Sequence, residues 1–332
     1  MDYQPPFKLV PIAIISGLQF LYGSSACLAD KPWRRHTIDS SRIGADGVRL
    51  ADFNQDGNLD IVTGWEESGV VRLYLNPGPD KSKQRWPFCQ IGEGKSPEDA
   101  VPFDVDGDGM LEVISCHEGS FKQVLVHKFN GNPTFGQAGD PNEEILNPAN
   151  WTTSSVPKLA GQQWMFATPI ELRDSCQGIV LGSKGSKATL TLLVQPSEDV
   201  KDLNQWSVVK LRDCGWIMSI QNIDMDQDGD IDIVFSDRKT RTRGVGWLAQ
   251  PNDGDLNKTW QEHPVGATEH EPMFIDATPN RILVPTRQAS WIDFRKTKNG
   301  IWNQTLHQNP ISVPFGKAIR TFGQNNIVLT AN

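Results

Sequence analysis

The sequence predicts an all-β fold, a β-propeller of about six four-stranded blades, from three observations. Short β-rich runs recur along the 332 residues. Tryptophan leads a strand at regular spacing, at Trp33, Trp86, Trp151, Trp206, Trp260 and Trp302. Three nearly identical acidic loops, at residues 52–60, 104–112 and 224–232, each join two short strands. Repeat units of about fifty residues with four short strands each are typical of propeller blades.

The N-terminal segment has the pattern of an export signal. Lys8 precedes an apolar stretch at residues 9–22, and small residues follow it. We therefore expect residues 1–29 to be a signal peptide and residues 30–332 to form one propeller domain of six units. The expected location is secreted, periplasmic or at the cell surface.

The same segment is too short and too interrupted to predict a membrane span. Cleavage after Ala26 or Ala29 is expected. Cleavage before Cys27 is the alternative, and it would allow a bacterial lipid anchor.

The acidic loops have the composition of a calcium site. Each loop places side-chain oxygens at positions 1, 3, 5 and 9, and a glycine at position 6, where a tight loop needs a permissive backbone. An EF-hand is excluded, because its position 12 needs a glutamate and here holds Thr63, Ser115 and Phe235. We expect about three bound Ca²⁺ ions; the alternative is a solvated acidic turn without metal.

The other units carry only remnants of this loop, at residues 173–178, 277–280 and 323–326, with too few carboxylates for calcium. The sixth unit ends at residues 327–330, after its second strand, so the last blade is expected to be incomplete. Either the Trp33 strand closes the ring, or the chain is a truncated seven-bladed ring with an open edge.

Composition limits the remaining possibilities. Eleven acidic side chains at the loop positions account for the formal net charge of −8, and the absence of a basic stripe disfavours nucleic acid. Cys89, Cys116, Cys176 and Cys214 follow the leader. A Cys176–Cys214 disulfide is the first pairing expected on export, while buried free thiols are the alternative for Cys89 and Cys116.

The loops and their strand context resemble the FG-GAP or VCBS repeats of integrin α-subunit propellers and of many exported bacterial proteins. The resemblance is specific at the three loops and weak in the third, fifth and sixth units. It implies calcium held by side chains of Asp52, Asn54, Asp56, Asp60, Asp104, Asp106, Asp108, Glu112, Asp224, Asp226, Asp228 and Asp232. It also implies backbone carbonyl ligands from Asn58, Met110 and Asp230. The family implies a fold and a metal, but no single activity.

A ligand face is expected opposite the calcium loops, where the turns between second and third strands meet the beginnings of the innermost strands. The candidate residues are Arg49, Trp65, Glu66, Glu98, Asp99, His117, Glu118, Gln163, Trp164, Lys184, Trp216, Asp237, Arg238, Glu271 and Lys317. Indole rings beside charged groups suit a carbohydrate. The alternative is that the tryptophans pack between blades. It is preferred for Trp33, Trp86, Trp206, Trp260 and Trp302 and stays open for Trp65, Trp164 and Trp216.

Two functions from different classes follow. The first is a binding module for carbohydrate or protein. The second is a polysaccharide-cleaving lyase or hydrolase that uses His117, Glu118, Glu98, Asp99 and Lys184. A purely structural, calcium-stiffened spacer is a third option. No nucleophile-elbow, metalloprotease or phosphate-loop motif supports an enzyme, so binding is favoured.

Overall fold

The computed structural model describes residues 34–131, 141–196, 202–309, 314–322 and 326–330. The chain divides into two units, Met1–His36 and Thr37–Asn332, and every strand below lies in the second. The predicted signal peptide, Cys27 and Trp33 lie outside the described residues. No helix within the described ranges is long and apolar enough to cross a membrane.

The described strands form five four-stranded antiparallel sheets and one two-stranded sheet. The first sheet contains β1 (Ala45–Ala51), β2 (Asp60–Trp65), β3 (Val70–Tyr74) and β4 (Phe88–Glu93). The second contains β5 (Pro97–Phe103), β6 (Glu112–His117), β7 (Val124–Phe129) and β8 (Trp151–Ser155). The third contains β9 (Gln163–Glu171), β10 (Gln177–Lys184), β11 (Thr189–Val194) and β12 (Ser207–Asp213).

The fourth sheet contains β13 (Ile217–Ile223), β14 (Asp232–Asp237), β15 (Gly244–Ala249) and β16 (Gln261–Gly266). The fifth contains β17 (Asp276–Thr278), β18 (Arg281–Pro285), β19 (Ser290–Lys296) and β20 (Trp302–Gln308), and the sixth β21 (Ala318–Phe322) and β22 (Asn326–Thr330). In the part of the chain that the structure describes, the helical segments are α1 (Pro141–Ile145) and 3₁₀ turns at Pro148–Asn150, Pro157–Leu159, Arg173–Ser175 and Leu203–Gln205. The predicted all-β propeller is confirmed, and the sixth sheet has two strands within the described residues.

The first strands of consecutive sheets contact one another, β1 with β5, β5 with β9, β9 with β13, β13 with β17 and β17 with β21. This arrangement makes them the innermost strands of radially repeated blades. Among the described residues, the strands that follow or begin at the strand-leading tryptophans pair as the outermost, fourth strands of their sheets, as β8 does beside β7.

Apolar side chains from facing sheets form the cores between blades. Trp206 is buried in a core shared by the second and third sheets, and Trp260 in one shared by the third and fourth. Trp151 packs between the first and second sheets. The packing role expected for Trp206 and Trp260 is confirmed, and much of the stability therefore comes from neighbouring blades.

The cysteine expectation is corrected in part. Cys214 is a free thiol, so the Cys176–Cys214 pairing is wrong. Cys89 and Cys116 are buried in β4 and β6, as the free-thiol alternative predicted.

Candidate functional site

The acidic loops lie where predicted, each joining the first and second strands of a blade: β1 to β2, β5 to β6, and β13 to β14. Their sixth-position glycines adopt positive φ, +85° at Gly57, +85° at Gly109 and +97° at Gly229. A side chain at these positions would be strained by its own backbone. The predicted need for glycine there is confirmed.

The three loops share one hydrogen-bond scheme. The first-position carboxylate accepts the N–H of the sixth-position glycine, as Asp52 Oδ2 does from Gly57 at 2.9 Å. The ninth-position carboxylate accepts the N–H of the second residue, as Asp60 does from Phe53 at 2.8 Å. The same pairs recur at 3.0 and 2.9 Å in the second loop and at 3.2 and 2.8 Å in the third. Residues at the same position of the three loops therefore make the same hydrogen bonds.

Burial leaves the ninth-position carboxylates poorly compensated. Burial raises the pKa of Asp60 to about 6, that of Glu112 to about 7 and that of Asp232 to about 6. Glu112 Oε1 and Asp104 Oδ1 are buried, and neither has a hydrogen-bond partner among the described residues. Such atoms need a compensating donor or cation.

Carboxylates converge in two of the loops. Asp104, Asp106 and Asp108 can each place one oxygen within 4.8 Å of the others, and so can Asp224, Asp226 and Asp232. The first loop has an amide, Asn54, at its third position and so contributes fewer carboxylates. At the seventh positions, Asn58 donates to Asp56 Oδ1 from its backbone N–H at 2.8 Å and from its side-chain amide at 3.0 Å. The Met110 N–H donates to Asp108 Oδ1 at 2.8 Å, and the Asp230 side chain is bound by Arg173.

Two cationic side chains reach these loops. Lys128, on β7, donates to Asp106. Arg173 comes from the shortened loop of the third blade and crosses to the fourth, where it contacts Asp230, lies 3.3 Å from Asp228 and donates to Asn252 at 2.5 Å. The second and third loops are thus partly neutralised by the protein itself.

A cavity of about 190 Å³ opens at the other end of the inner strands, which we call the mouth. Its lining comes from all six sheets or the segments next to them: Asp46, Glu98, Met165, Phe166, Lys184, Trp216, Met218, Arg238, Met273, Phe274, Arg287, Phe315 and Lys317. Of the predicted ligand residues, the mouth therefore contains Glu98, Lys184, Trp216, Arg238 and Lys317.

Ion pairs connect the charged groups around the mouth. Lys184 contacts Glu118 and lies 4.0 Å from Glu98, and Glu66 belongs to the same carboxylate cluster. Burial raises the pKa of Glu98 to about 7, although Lys184 opposes the shift. Glu66, Glu118 and Lys184 were predicted to lie together, and the structure brings them together.

Two predicted ligand tryptophans do not reach the mouth. Trp65 is 7% exposed and donates to the Tyr74 hydroxyl at 3.0 Å, and Trp164 is 1% exposed and donates to the Leu159 carbonyl. Both pack in blade cores. Trp216 alone lines the cavity, with Lys184 and Arg238 each 4.5 Å from its ring centroid.

His117 is also buried away from the mouth. The Lys95 carbonyl can only accept, so His117 Nδ1 donates to it at 2.9 Å, and His117 Nε2 accepts from the Ser115 hydroxyl at 2.8 Å. The same hydroxyl lies 2.8 Å from His127 Nε2. Burial lowers the pKa of His117 to about 4 and that of His127 to about 3. Both imidazoles are therefore neutral parts of the blade.

Asp99 and Asp237 are fully buried. Asp99 binds Arg49 at 2.9 and 2.7 Å and accepts the Ala167 N–H at 3.1 Å, which joins the inner strands of the first three blades. Asp237 accepts hydrogen bonds from the N–H groups of Gly215 and Trp216 and from the Arg212 guanidinium. These predicted ligand residues hold backbone and neighbouring side chains.

The remaining predicted residues lie near the rim. Gln163 begins β9 and pairs with Lys184 across the strands. Glu271 accepts from Arg238 at 3.0 Å and from Lys239 at 2.6 Å. The sequence reasoning missed the apolar floor of Met165, Phe166, Met218, Met273 and Phe274, and the cation Arg287. The sequence did contain a signal for these lining residues, because they stand within a few positions of the predicted inner strands.

Comparison with known proteins supports the repeat. Residues 52–115 match the family model described as FG-GAP-like repeat, so the first two blades contain such a repeat and the resemblance is confirmed. Cartilage acidic protein 1 of Mus musculus is 32% identical over 121 residues, and that of Homo sapiens 34% over 123. Each match covers 34% of this chain and only 17% of the relative.

Solved structures give weaker likenesses. Raptor of Chaetomium thermophilum has a TM-score of 0.45 at 14% identity, covering 80% of this chain and 21% of that one. Sqt1 of Saccharomyces cerevisiae has a TM-score of 0.45 at 9% identity, covering 86% and 64%. Likenesses of this strength say nothing about function.

Proposed function

We propose that this chain is an exported interaction module, a β-propeller braced by calcium that binds a protein ligand at its mouth. The observation that carries the proposal is the mouth cavity, to which the inner-strand ends of all six sheets contribute charged and apolar side chains. Concave sites that combine an apolar surface with a few convergent polar groups are typical binding sites. The FG-GAP-like repeat of residues 52–115 agrees with an interaction role.

The calcium part of the proposal rests on the donor chemistry of the loops. Calcium prefers six to eight oxygen ligands from carboxylates and carbonyls, and the loops present carboxylates in that pattern. The unpartnered oxygens of Asp104 and Glu112 fit such an ion. The residues that would hold it are those at loop positions 1, 3, 5, 7 and 9, and the ion would supply the positive charge these carboxylates lack.

Export is part of the same proposal. FG-GAP repeats are typical of extracellular proteins, and extracellular calcium is concentrated enough to occupy sites with dissociation constants of about 10⁻⁴–10⁻³ M. The location proposed is therefore secreted, periplasmic or cell-surface.

A protein ligand is preferred to a carbohydrate. Of the three tryptophans considered for stacking on a sugar, only Trp216 lines the cavity, and two cations lie over its ring. Of those three indole rings, one therefore remains at the mouth, and its faces are already in contact with cations. The polar and apolar lining suits the mixed side chains of a polypeptide.

A polysaccharide-cleaving activity is the second candidate, favoured by one observation. Glu98, whose pKa burial raises to about 7, lies in one carboxylate cluster with Glu66 and Glu118, and a carboxyl that is protonated near neutral pH can act as a general acid. Lys184 already occupies that cluster. His117, the other acid–base candidate, is fully buried.

Selection from a random peptide library on the immobilised, calcium-loaded protein tests the proposal. Selected peptides should bind Trp216→Ala, altered at the mouth, at least tenfold more weakly than the unchanged protein. They should bind Trp302→Ala, altered in outer-strand packing, with unchanged affinity. Equal binding to both variants, or selection of no peptide, would overturn the protein-ligand proposal. Release of reducing ends or unsaturated products from polysaccharides would favour the enzyme instead.

A further inference from the structure

The mouth cavity has an apolar floor. Met165, Phe166, Met218 and Met273 are each less than one tenth exposed, and Phe274 meets Phe166 edge to face at 5.3 Å between ring centroids. Methionine is unbranched and polarisable, so it adapts to apolar groups of different shapes. The floor is therefore suited to an inserted apolar side chain.

Cations dominate the cavity wall, with four of them against the two carboxylates Asp46 and Glu98. Lys184 is engaged by Glu118 and Glu98, and the Arg238 Nε by Glu271 at 3.0 Å.

The other two cations, Arg287 and Lys317, form no ion pair within the described ranges of the chain. Arg287 lies against the Phe315 ring, with its guanidinium carbon 5.4 Å from the centroid. Lys317 is close enough to Glu98 to oppose the upward shift of the carboxyl's pKa. Arg287 lies between β18 and β19 of the fifth blade, and Lys317 directly precedes β21 of the sixth. The two cations without an ion pair therefore come from neighbouring blades, and excess positive charge is concentrated on one side of the mouth.

The size of the cavity restricts its occupant. Its volume of about 190 Å³ is below the roughly 300–1,000 Å³ of pockets that enclose drug-sized ligands. A single side chain from a protein surface is the more suitable occupant, as in the anchor residues that dominate many interfaces.

We propose that the partner presents one bulky apolar side chain next to a carboxylate. The apolar group enters the methionine and phenylalanine floor, and the carboxylate is bound by Arg287 and Lys317. This inference rests on the proposed function, because it names the chemistry of the ligand at the same mouth.

Four blocked, fluorescently labelled peptides test it, identical except for a central Phe-Glu, Phe-Lys, Ser-Glu or Ser-Lys pair in a Gly-Ser background. Fluorescence anisotropy with the full chain in calcium measures their binding. The Phe-Glu peptide should bind about tenfold or more tightly than each of the others, which corresponds to one charge-assisted hydrogen bond or one buried aromatic group.

Variants of the protein locate the contacts. Arg287→Gln combined with Lys317→Gln should weaken Phe-Glu binding about tenfold or more and leave the ratio of Phe-Lys to Ser-Lys affinity unchanged. Phe274→Ser should remove the preference for phenylalanine. Lys298→Gln, an exposed lysine in the turn between β19 and β20, is the matched control and should bind as the unchanged protein does. Melting temperatures show that each variant folds.

The outcomes separate the two proposals. Preference for Phe-Lys, equal binding of Ser-Glu, or Phe-Glu binding that survives the double substitution would overturn the inference. If library peptides of other chemistry still depend on the mouth, the binding-module proposal stands and only the ligand chemistry is wrong. If none of the four peptides binds and library peptides also ignore the mouth, both proposals are wrong.

Discussion

Removing the charge of Asp99 should loosen the first three blades together. This carboxylate is fully buried and accepts four hydrogen bonds, two from Arg49 at 2.9 and 2.7 Å and one each from the Ala100 and Ala167 N–H groups at 3.1 Å. Arg49 also donates to the Ala167 carbonyl at 3.2 Å. One ion pair thus fastens β1, β5 and β9.

The expected cost follows from this geometry. In Asp99→Asn the amide NH₂ would face the Arg49 guanidinium together with either the Ala100 or the Ala167 N–H, all of them donors. Breaking a buried pair from one side costs about 3–5 kcal/mol. At roughly 2 °C or more per kcal/mol for a domain of this size, the melting temperature should fall by at least about 6 °C. Arg49→Met should cost at least as much, because it leaves the charge on the fully buried Asp99, whereas Asp99→Asn leaves it on Arg49, whose side chain is 37% exposed.

Thermal unfolding followed by circular dichroism in calcium measures the change, with Asp213→Asn as the matched control. Asp213 is 74% exposed and pairs with Lys210 only on the surface, so its loss should change stability by less than about 0.5 kcal/mol. The double variant Asp99→Asn with Arg49→Met should lose less than the sum of the single variants. If Asp99→Asn melts within 2 °C of the unchanged protein, the ion pair does not hold the blades together.

Three further predictions concern the loops and the buried histidines. Chelating calcium with EGTA should lower the melting temperature, because a ligand at about 100 times its dissociation constant adds about 2.7 kcal/mol of stability; an unchanged melting curve would contradict the calcium proposal. Arg173→Gln should raise the calcium affinity of the 224–232 loop about threefold or more, because the Arg173 guanidinium no longer competes with calcium for the loop carboxylates. Terbium luminescence titration measures the affinity, and an unchanged value would show that Arg173 does not compete with the ion. Acidification should destabilise the calcium-loaded protein from about pH 6.5 downwards. The folded-state pKa values of His117 and His127, about 4 and 3, lie below the unfolded value, so the unfolded chain takes up protons first and each imidazole costs about 1.4 kcal/mol per pH unit until its folded pKa is reached. The His127→Gln variant should show a shallower loss of melting temperature between pH 6.5 and pH 4, and an equal slope would exclude this explanation.

The position of a side chain at a strand end was the weakest part of the sequence reasoning. Trp164 was expected at the mouth, but it packs in a core, and the adjacent Met165 lines the cavity instead. Successive residues of a strand point to opposite faces, so an error of one position exchanges core and mouth. A register shift between Gly182 and Ser183, opposite this part of β9, adds an irregularity that alternation alone does not reveal.

The sequence by itself determined the features that depend on local chemistry. The acidic loops, their glycines at positive φ and the antiparallel strands on either side follow from residue types at fixed spacing, because each loop closes on its own backbone. Only the tertiary structure decided which strands form each blade and which tryptophans pack between blades. It also decided which polar side chains are buried, as Asp99 and His117 are. Those outcomes depend on contacts between residues far apart in the chain, such as Arg49 with Asp99 and Ala167, and no local pattern encodes such pairings.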